Sequence, residues 1–229
     1  MSNVAFVIDG ERRNGSTTFP VIDPATAEVF NHCPQASIFD LDDAVRSARA
    51  AFRGWSCLSL DDRSRLILEV AARLTEHADE LASLTSQEQG KPLAAAKKEA
   101  AAAIGSLKAA AMLRPPVETV QDDSAALIRV VRKPLGVVGS ITPWNHPILI
   151  ACWHIGPALI AGDTVVIKPS GYTPFGTLRL VEIINEILPP GVVNAVTGEG
   201  DIGRAMSGHP DIDKIVFTGS SPTLSLIHI

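Results

Sequence analysis

Between Gly136 and Gly171 the chain runs through an apolar β-branched stretch, a Pro-Trp-Asn-His-Pro turn and a long apolar segment. A Gly-Asp turn and a second β-branched stretch ending in a lysine follow. Val137 to Ile141 and Thr164 to Ile167 carry little polar interruption. Such runs suit strands buried on both faces, as in a parallel sheet covered by helices. Parallel neighbours need a crossover, and Ile148 to Ala161 is long enough to supply one helix. The expectation is a βαβ unit. In open parallel sheets ligands sit beyond the carboxyl ends of the strands. Thr142 to Asn145 and Lys168 to Gly171 lie there, which marks a site from topology alone.

The alternation continues downstream. Strands at 137–141, 164–167, 192–196 and 214–217, with helices at 148–161, 174–187 and 201–207, predict a doubly wound α/β fold with a Rossmann-type parallel sheet. Upstream, Ala5 to Ile8, an Asp9-Gly10 turn and Thr18 to Ile22 predict a short hairpin. Apolar residues from Leu41 to Trp55 fall at helical spacing, with Asp40 as the N-cap. Asp61 is expected to cap a longer helix that buries Leu66, Ile67, Val70, Leu74, Leu81 and Leu84. An alanine-rich helix follows at 93–113, ended by Pro115 and Pro116. Leu127 to Lys133 alternates apolar and basic residues, as an exposed two-faced strand would. The expected divisions are 1–113 for the N-terminal hairpin and helices, 114–134 for an extended arm and 135–223 for the α/β part.

Bulk properties exclude some classes. The 229 residues carry a net charge of −5, with no basic footprint for nucleic acid. No run approaches the roughly 18 uncharged apolar residues of a membrane span. MSNVAFVIDGERRNG has no secretory pattern. Cys33, Cys57 and Cys152 lack metal-ligand spacing, so no metal is expected; reduced thiols in a cytoplasmic protein are the simpler reading.

Pro143-Trp144-Asn145-His146-Pro147, Gly156-Pro157-Ala158-Leu159 and Lys168-Pro169-Ser170 occur in that order. They are followed by Leu188-Pro189-Pro190-Gly191-Val192-Val193-Asn194 and Phe217-Thr218-Gly219-Ser220. In this order and register, from about Val7 to Thr223, the chain resembles the aldehyde dehydrogenase superfamily. The resemblance implies NAD or NADP as cofactor, an aldehyde as substrate and a homo-oligomer that uses the strand near 127–133 in subunit pairing. It makes Asn145 the catalytic donor to the oxyanion formed when a cysteine attacks the aldehyde. Ile141, Thr142, Pro143 and Trp144 would line the nicotinamide side of the cleft, and Lys168 would bond the adenine ribose beside Ser170 and Gly171. Gly200, Gly203, Phe217, Thr218, Gly219 and Ser220 complete the implied cofactor set.

Each residue also has a plainer reading. Asn145 could cap its own turn, Trp144 could pack in the core, and Lys168 could extend along the surface. His146 reads as a packing residue or as a supporting contact behind the site residues, because no carboxylate near it in sequence orients it. Gly171 stands where many NAD-preferring relatives have a glutamate, which leaves NAD against NADP open. Gly198-Glu199-Gly200-Asp201-Ile202-Gly203 matches G-x-G-x-x-G, but no acidic residue follows the next strand, so these glycines read as a close-approach turn. The family's cysteine nucleophile and glutamate base would lie C-terminal to Phe217–Ser220, and none of the three cysteines has the matching context. The chain alone is therefore expected to be inactive. Leu224 to Ile229, LSLIHI, departs from the family pattern and resembles a translated sequencing adapter, so 224–229 is expected to be a scar on a truncated reading frame. A catalytically dead dinucleotide-binding module, or an acyl-CoA-forming or acyl-phosphate-reducing branch of the superfamily, are the alternatives.

Overall fold

Val137–Ile141 (β7) and Thr164–Lys168 (β8) pair in parallel, with Val137 opposite Thr164 and Ile141 opposite Lys168. Pro147–Ala161 (α5) joins them. These positions come from a computed structural model that describes residues 4–225, apart from the side chains of residues 222 and 223. Val193–Ala195 (β9) adds in parallel to the far side of β8, and Lys214–Phe217 (β10) in parallel to β7. Phe175–Asn185 (α6) and Gly200–Ser207 (α7) are the remaining crossovers. The chain steps from β7 through β9 and then returns past β7 to β10. Right-handed crossovers therefore put α5 and α6 on one face and α7 on the other. Ile38–Cys57 (α1) packs with α7, and α5 packs with α6. The doubly wound α/β fold is as expected, with its switch point between β7 and β10.

The N-terminus differs from expectation. Phe6–Ile8 (β1) turns at Asp9-Gly10 onto Glu11–Arg13 (β2), not onto Thr18 to Ile22. β1 also lies antiparallel to β9, so the hairpin extends the main sheet in the order β10-β7-β8-β9-β1-β2. Thr17–Asp23 (β3) pairs instead with Glu28–Gln35 (β4) in a separate ribbon. The two-residue turn explains the outcome: Asp9 and Gly10 both take positive φ, which closes a tight hairpin on the next three residues.

Both expected helix caps shift toward a serine. Ser37 caps α1, with its Oγ accepting from Asp40 N at 3.2 Å while Asp40 Oδ2 accepts from Ser37 N at 2.7 Å. Asp40 is thus the third residue of a capping box. Ser59, not Asp61, caps Leu60–Glu76 (α2), and Ala78–Gln89 (α3) is a separate helix. Leu93–Ala111 (α4) runs along α5, where a Cβ on Gly156 would lie 2.9 Å from that of Ala110. Alanine and glycine let these two helices approach closely. Glu118–Asp122 (β5) and Leu127–Val130 (β6) form an exposed antiparallel ribbon. Ser221–Ser225 (α8) ends the described chain, so of the expected scar only Leu224 and Ser225 are described and 226–229 lie outside. Among the described residues, no helix is long and apolar enough to cross a membrane.

One buried carboxyl group joins α3 to α6. Glu88 of α3 accepts from Phe175 N at 2.7 Å and Gly176 N at 2.9 Å, filling the N-terminus of α6. A Cβ on Gly176 would lie 2.9 Å from Glu88 Oε1, so glycine makes room for the carboxylate. Burial pushes the Glu88 carboxyl up to about 8, against the two N–H donors that favour its charge. A folded pKa above the unfolded value means that the native state binds the extra proton. Glu88 therefore favours folding below the unfolded carboxylate pKa, and that contribution is lost as pH rises to about 8. Glu88→Gln should flatten the fall in stability between about pH 5 and about pH 8, read by urea unfolding. Glu88→Ala should cost about 2–4 kcal/mol by leaving two buried N–H groups unpaired.

Candidate active site

The carboxyl ends of β10, β7, β8 and β9 open onto one cleft of about 1020 Å3. Every residue expected at the site lines it. Ile141, Thr142, Pro143, Trp144 and Asn145 follow β7, while Lys168, Ser170 and Gly171 follow β8. Gly200 and Gly203 face it from α7, and Phe217, Thr218, Gly219 and Ser220 close it after β10. Phe19, Tyr172, Arg204 and Ser207 join them. Phe19 comes from the β3–β4 ribbon, a contribution that local pattern could not reveal.

The turn carrying Asn145 is held by its backbone. Thr173 Oγ1 donates to Trp144 O at 3.3 Å, and Lys91 Nζ donates to Asn145 O at 2.8 Å. The Asn145 side chain is exposed and makes no hydrogen bond among the described residues. Its amide is thus free to meet a ligand, and the self-capping turn is not formed. Trp144 is 53% exposed, so it is not a core residue.

Beneath this turn lies a charged cluster that sequence reasoning missed. Glu99 is buried on α4, pairs with Lys91, accepts from His146 Nδ1 at 3.0 Å and takes the Leu149 N–H at 3.4 Å. His146 is therefore held by a carboxylate 47 residues away in sequence, so of its two readings the supporting contact is the one formed. The visible signal was Gln89-Gly90-Lys91-Pro92, a polar turn before a helix whose alanines conceal one buried acid.

Lys168 is buried, not extended along the surface. Its Nζ donates to Pro169 O at 3.0 Å and Gly198 O at 2.9 Å. Burial lowers its pKa to about 8, opposed by Asp201 and Glu199. Glu99 and Glu88 fill the N-termini of α5 and α6, whereas α7 has no side-chain cap. Glu199 and Asp201 put two carboxylates at that end, which disfavours a phosphate there. The α7 glycines thus act by proximity: a Cβ on Gly203 would lie 3.3 Å from Lys168 Cε.

A second unanticipated residue bridges sheet and cleft. His154 of α5 meets Ser140 Oγ through Nδ1 at 2.8 Å and Thr218 Oγ1 through Nε2 at 3.0 Å. Burial lowers its pKa to about 4. The cysteines stay out of the cleft: Cys33 and Cys152 are buried, and burial pushes the Cys152 thiol up to about 12.

A doubly wound α/β domain with a ligand cleft at its switch point is the class that this fold and site define. The model described as the aldehyde dehydrogenase family matches residues 11–228, reaching beyond Thr223. The chain belongs to the aldehyde dehydrogenase family. It is similar to PnpE in complex with nicotinamide adenine dinucleotide, at 37% identity and a TM-score of 0.95, over 98% of this chain and 48% of that one. An aldehyde dehydrogenase from Bacillus cereus matches at 34% identity and a TM-score of 0.96, over 99% and 48% of the two chains. Betaine aldehyde dehydrogenase from Staphylococcus aureus in complex with NAD+ matches at 32% and 0.93, over 98% and 47%. The chain spans about half the length of these structures.

Iodoacetamide should label Cys57 on the folded chain and leave Cys33 and Cys152 unmodified until denaturant is added, as read by peptide mass mapping. Rapid native labelling of Cys152 would contradict its burial.

Proposed function

We propose that this chain is the cofactor-binding part of an enzyme that oxidises an aldehyde to a carboxylic acid with NAD or NADP. The observation that carries the reading is Asn145: its backbone is pinned on a strand-end turn while its amide stands unpartnered in the cleft. The cleft suits a dinucleotide in size, since small-molecule sites run to roughly 1000 Å3. It also holds a buried polar atom without a partner among the described residues, Thr142 Oγ1, as a wall awaiting a ligand would. Gly171 leaves open space, with only Phe19 Cε2 within reach of a Cβ, at 3.6 Å.

In this reading Lys168, Ser170 and Gly171 receive the adenosine end, and Ile141 to Trp144 with Phe217 to Ser220 receive the nicotinamide end. A bound dinucleotide supplies the hydride acceptor. Asn145 donates a hydrogen bond to the substrate oxygen as that oxygen gains negative charge, a contribution worth about 3 kcal/mol in comparable sites. Pinning by Lys91 and Thr173 keeps that donor aimed before the substrate arrives. No thiol lines the cleft among the described residues, so the attacking cysteine is assigned to sequence outside this chain. Exposed Val120, Leu127, Ile128 and Val130 on the β5–β6 ribbon support subunit pairing in a homo-oligomer.

Titration calorimetry of the 229-residue chain should detect NAD+ or NADP+ binding. Adding an aliphatic aldehyde should then produce no reduced-nicotinamide absorbance. Binding of neither dinucleotide would overturn the cofactor assignment. Turnover would instead place the nucleophile within this chain.

A further inference from the structure

The adenosine end of the cleft carries a positive charge that the cofactor reading does not use. Among the described residues lining the cleft, the charged side chains are Lys168, Glu199 and Arg204. Lys168 is committed: its amine donates to Pro169 O and Gly198 O, and Asp201 and Glu199 oppose the loss of its proton on burial. Arg204 is exposed and makes no ion pair or side-chain hydrogen bond among the described residues. Gly200, Gly203, Arg204 and Ser207 line the cleft at helical spacing, so one face of α7 is turned toward it. Long helical side chains lie back over the preceding turn, which for Arg204 is the turn of Gly200. A Cβ on Gly200 would meet nothing within 4 Å, so a guanidinium has room there. The Gly203 contact with the Lys168 stem sets Arg204 beside the residues that follow β8.

We propose that Arg204 determines cofactor specificity at the adenosine end: its guanidinium pairs with the 2′-phosphate of NADP in the space that Gly171 leaves open, so that this chain binds NADP more tightly than NAD. This rests on the cofactor assignment above. A ribose 2′-hydroxyl is best met by a carboxylate, whereas a 2′-phosphate needs donors and positive charge. Gly171 supplies no carboxylate, and a Cβ there would meet only Phe19 Cε2, at 3.6 Å. Ser170 Oγ accepts from Tyr172 N at 3.3 Å, which leaves its own proton to donate. Across from them α7 offers a planar fork of N–H groups that matches phosphate oxygens. Glu199 is the group lining the cleft that opposes a phosphate, and the Lys168 ammonium beside it offsets that charge.

The test titrates NADP+ and NAD+ separately into the 229-residue chain. The unsubstituted chain should bind NADP+ about 10-fold or more tightly than NAD+, with the difference shrinking as salt rises. Arg204→Ala should weaken NADP+ about 10- to 100-fold, the loss of a charge-assisted contact, and change NAD+ by less than about twofold. Arg204→Lys should restore part of the NADP+ affinity, because the charge returns without the fork. Gly171→Glu should act from the opposite wall, weakening NADP+ and strengthening NAD+. Gly171 does not take a positive φ, so the backbone accepts that glutamate. Equal weakening of both dinucleotides by Arg204→Ala would make the arginine a structural residue and overturn the assignment. NAD+ binding as tightly as NADP+ to the unsubstituted chain would overturn it too, while leaving the cofactor site in place. If neither dinucleotide binds, the cofactor assignment falls and the role of Arg204 falls with it.

Discussion

β8 is the strand on which the rest is assembled. All five of its residues are buried, β7 and β9 bond to its two edges, and α1 and α5 both pack against it. Fully burying Val165, Val166 and Ile167 contributes roughly 1.5–3 kcal/mol each. Continuous burial also sets the chemistry at the strand end. Lys168 emerges from the core with its amine already bound to two carbonyls, and burial weakens its hold on a proton. The sheet thereby delivers a polar group of fixed position to the cleft instead of a mobile surface charge.

Two buried glutamates govern the loops next to that strand end. Glu88 occupies the start of α6 and Glu99 the start of α5, each satisfying backbone N–H groups that would otherwise be unpaired. Glu99 also holds Lys91, and Lys91 holds the carbonyl of Asn145. An acid in the helical layer therefore sets the geometry of a turn on the sheet. The Asn145 amide is spared any structural duty because its backbone carries it.

Much of the architecture was legible because the parallel strands are apolar runs and the crossover lengths admit few topologies. Thr142 to Asn145 and Lys168 to Gly171 were legible for the same reason, since strand-end residues are adjacent in a parallel sheet by construction, whereas Gly200, Gly203 and Phe217 to Ser220 came from the family resemblance. The N-terminal pairing was misjudged because Thr18 to Ile22 alternates well enough to suit either partner, and a two-residue turn favours the nearer strand. Glu99 meets His146 across 47 residues and His154 meets Thr218 across 64, where no local pattern reports a contact. A glutamate among alanines looks like a solvated face. Only the packing of α4 on α5 reveals that it is not.

β10 differs from its neighbours. It is partly exposed along most of its length, and β7 is its one bonded neighbour among the described strands. Protection against hydrogen exchange should thus fall from β8 outward, making this strand a low-stability unit of the sheet. Phe217 ends it and Thr218 follows, so one wall of the cleft would also be the part of the sheet expected to open first. A ligand spanning β7 to β10 would close that opening, and part of its intrinsic binding energy would appear as local order instead of measured affinity. Recognition and the last step of folding would then share one free energy.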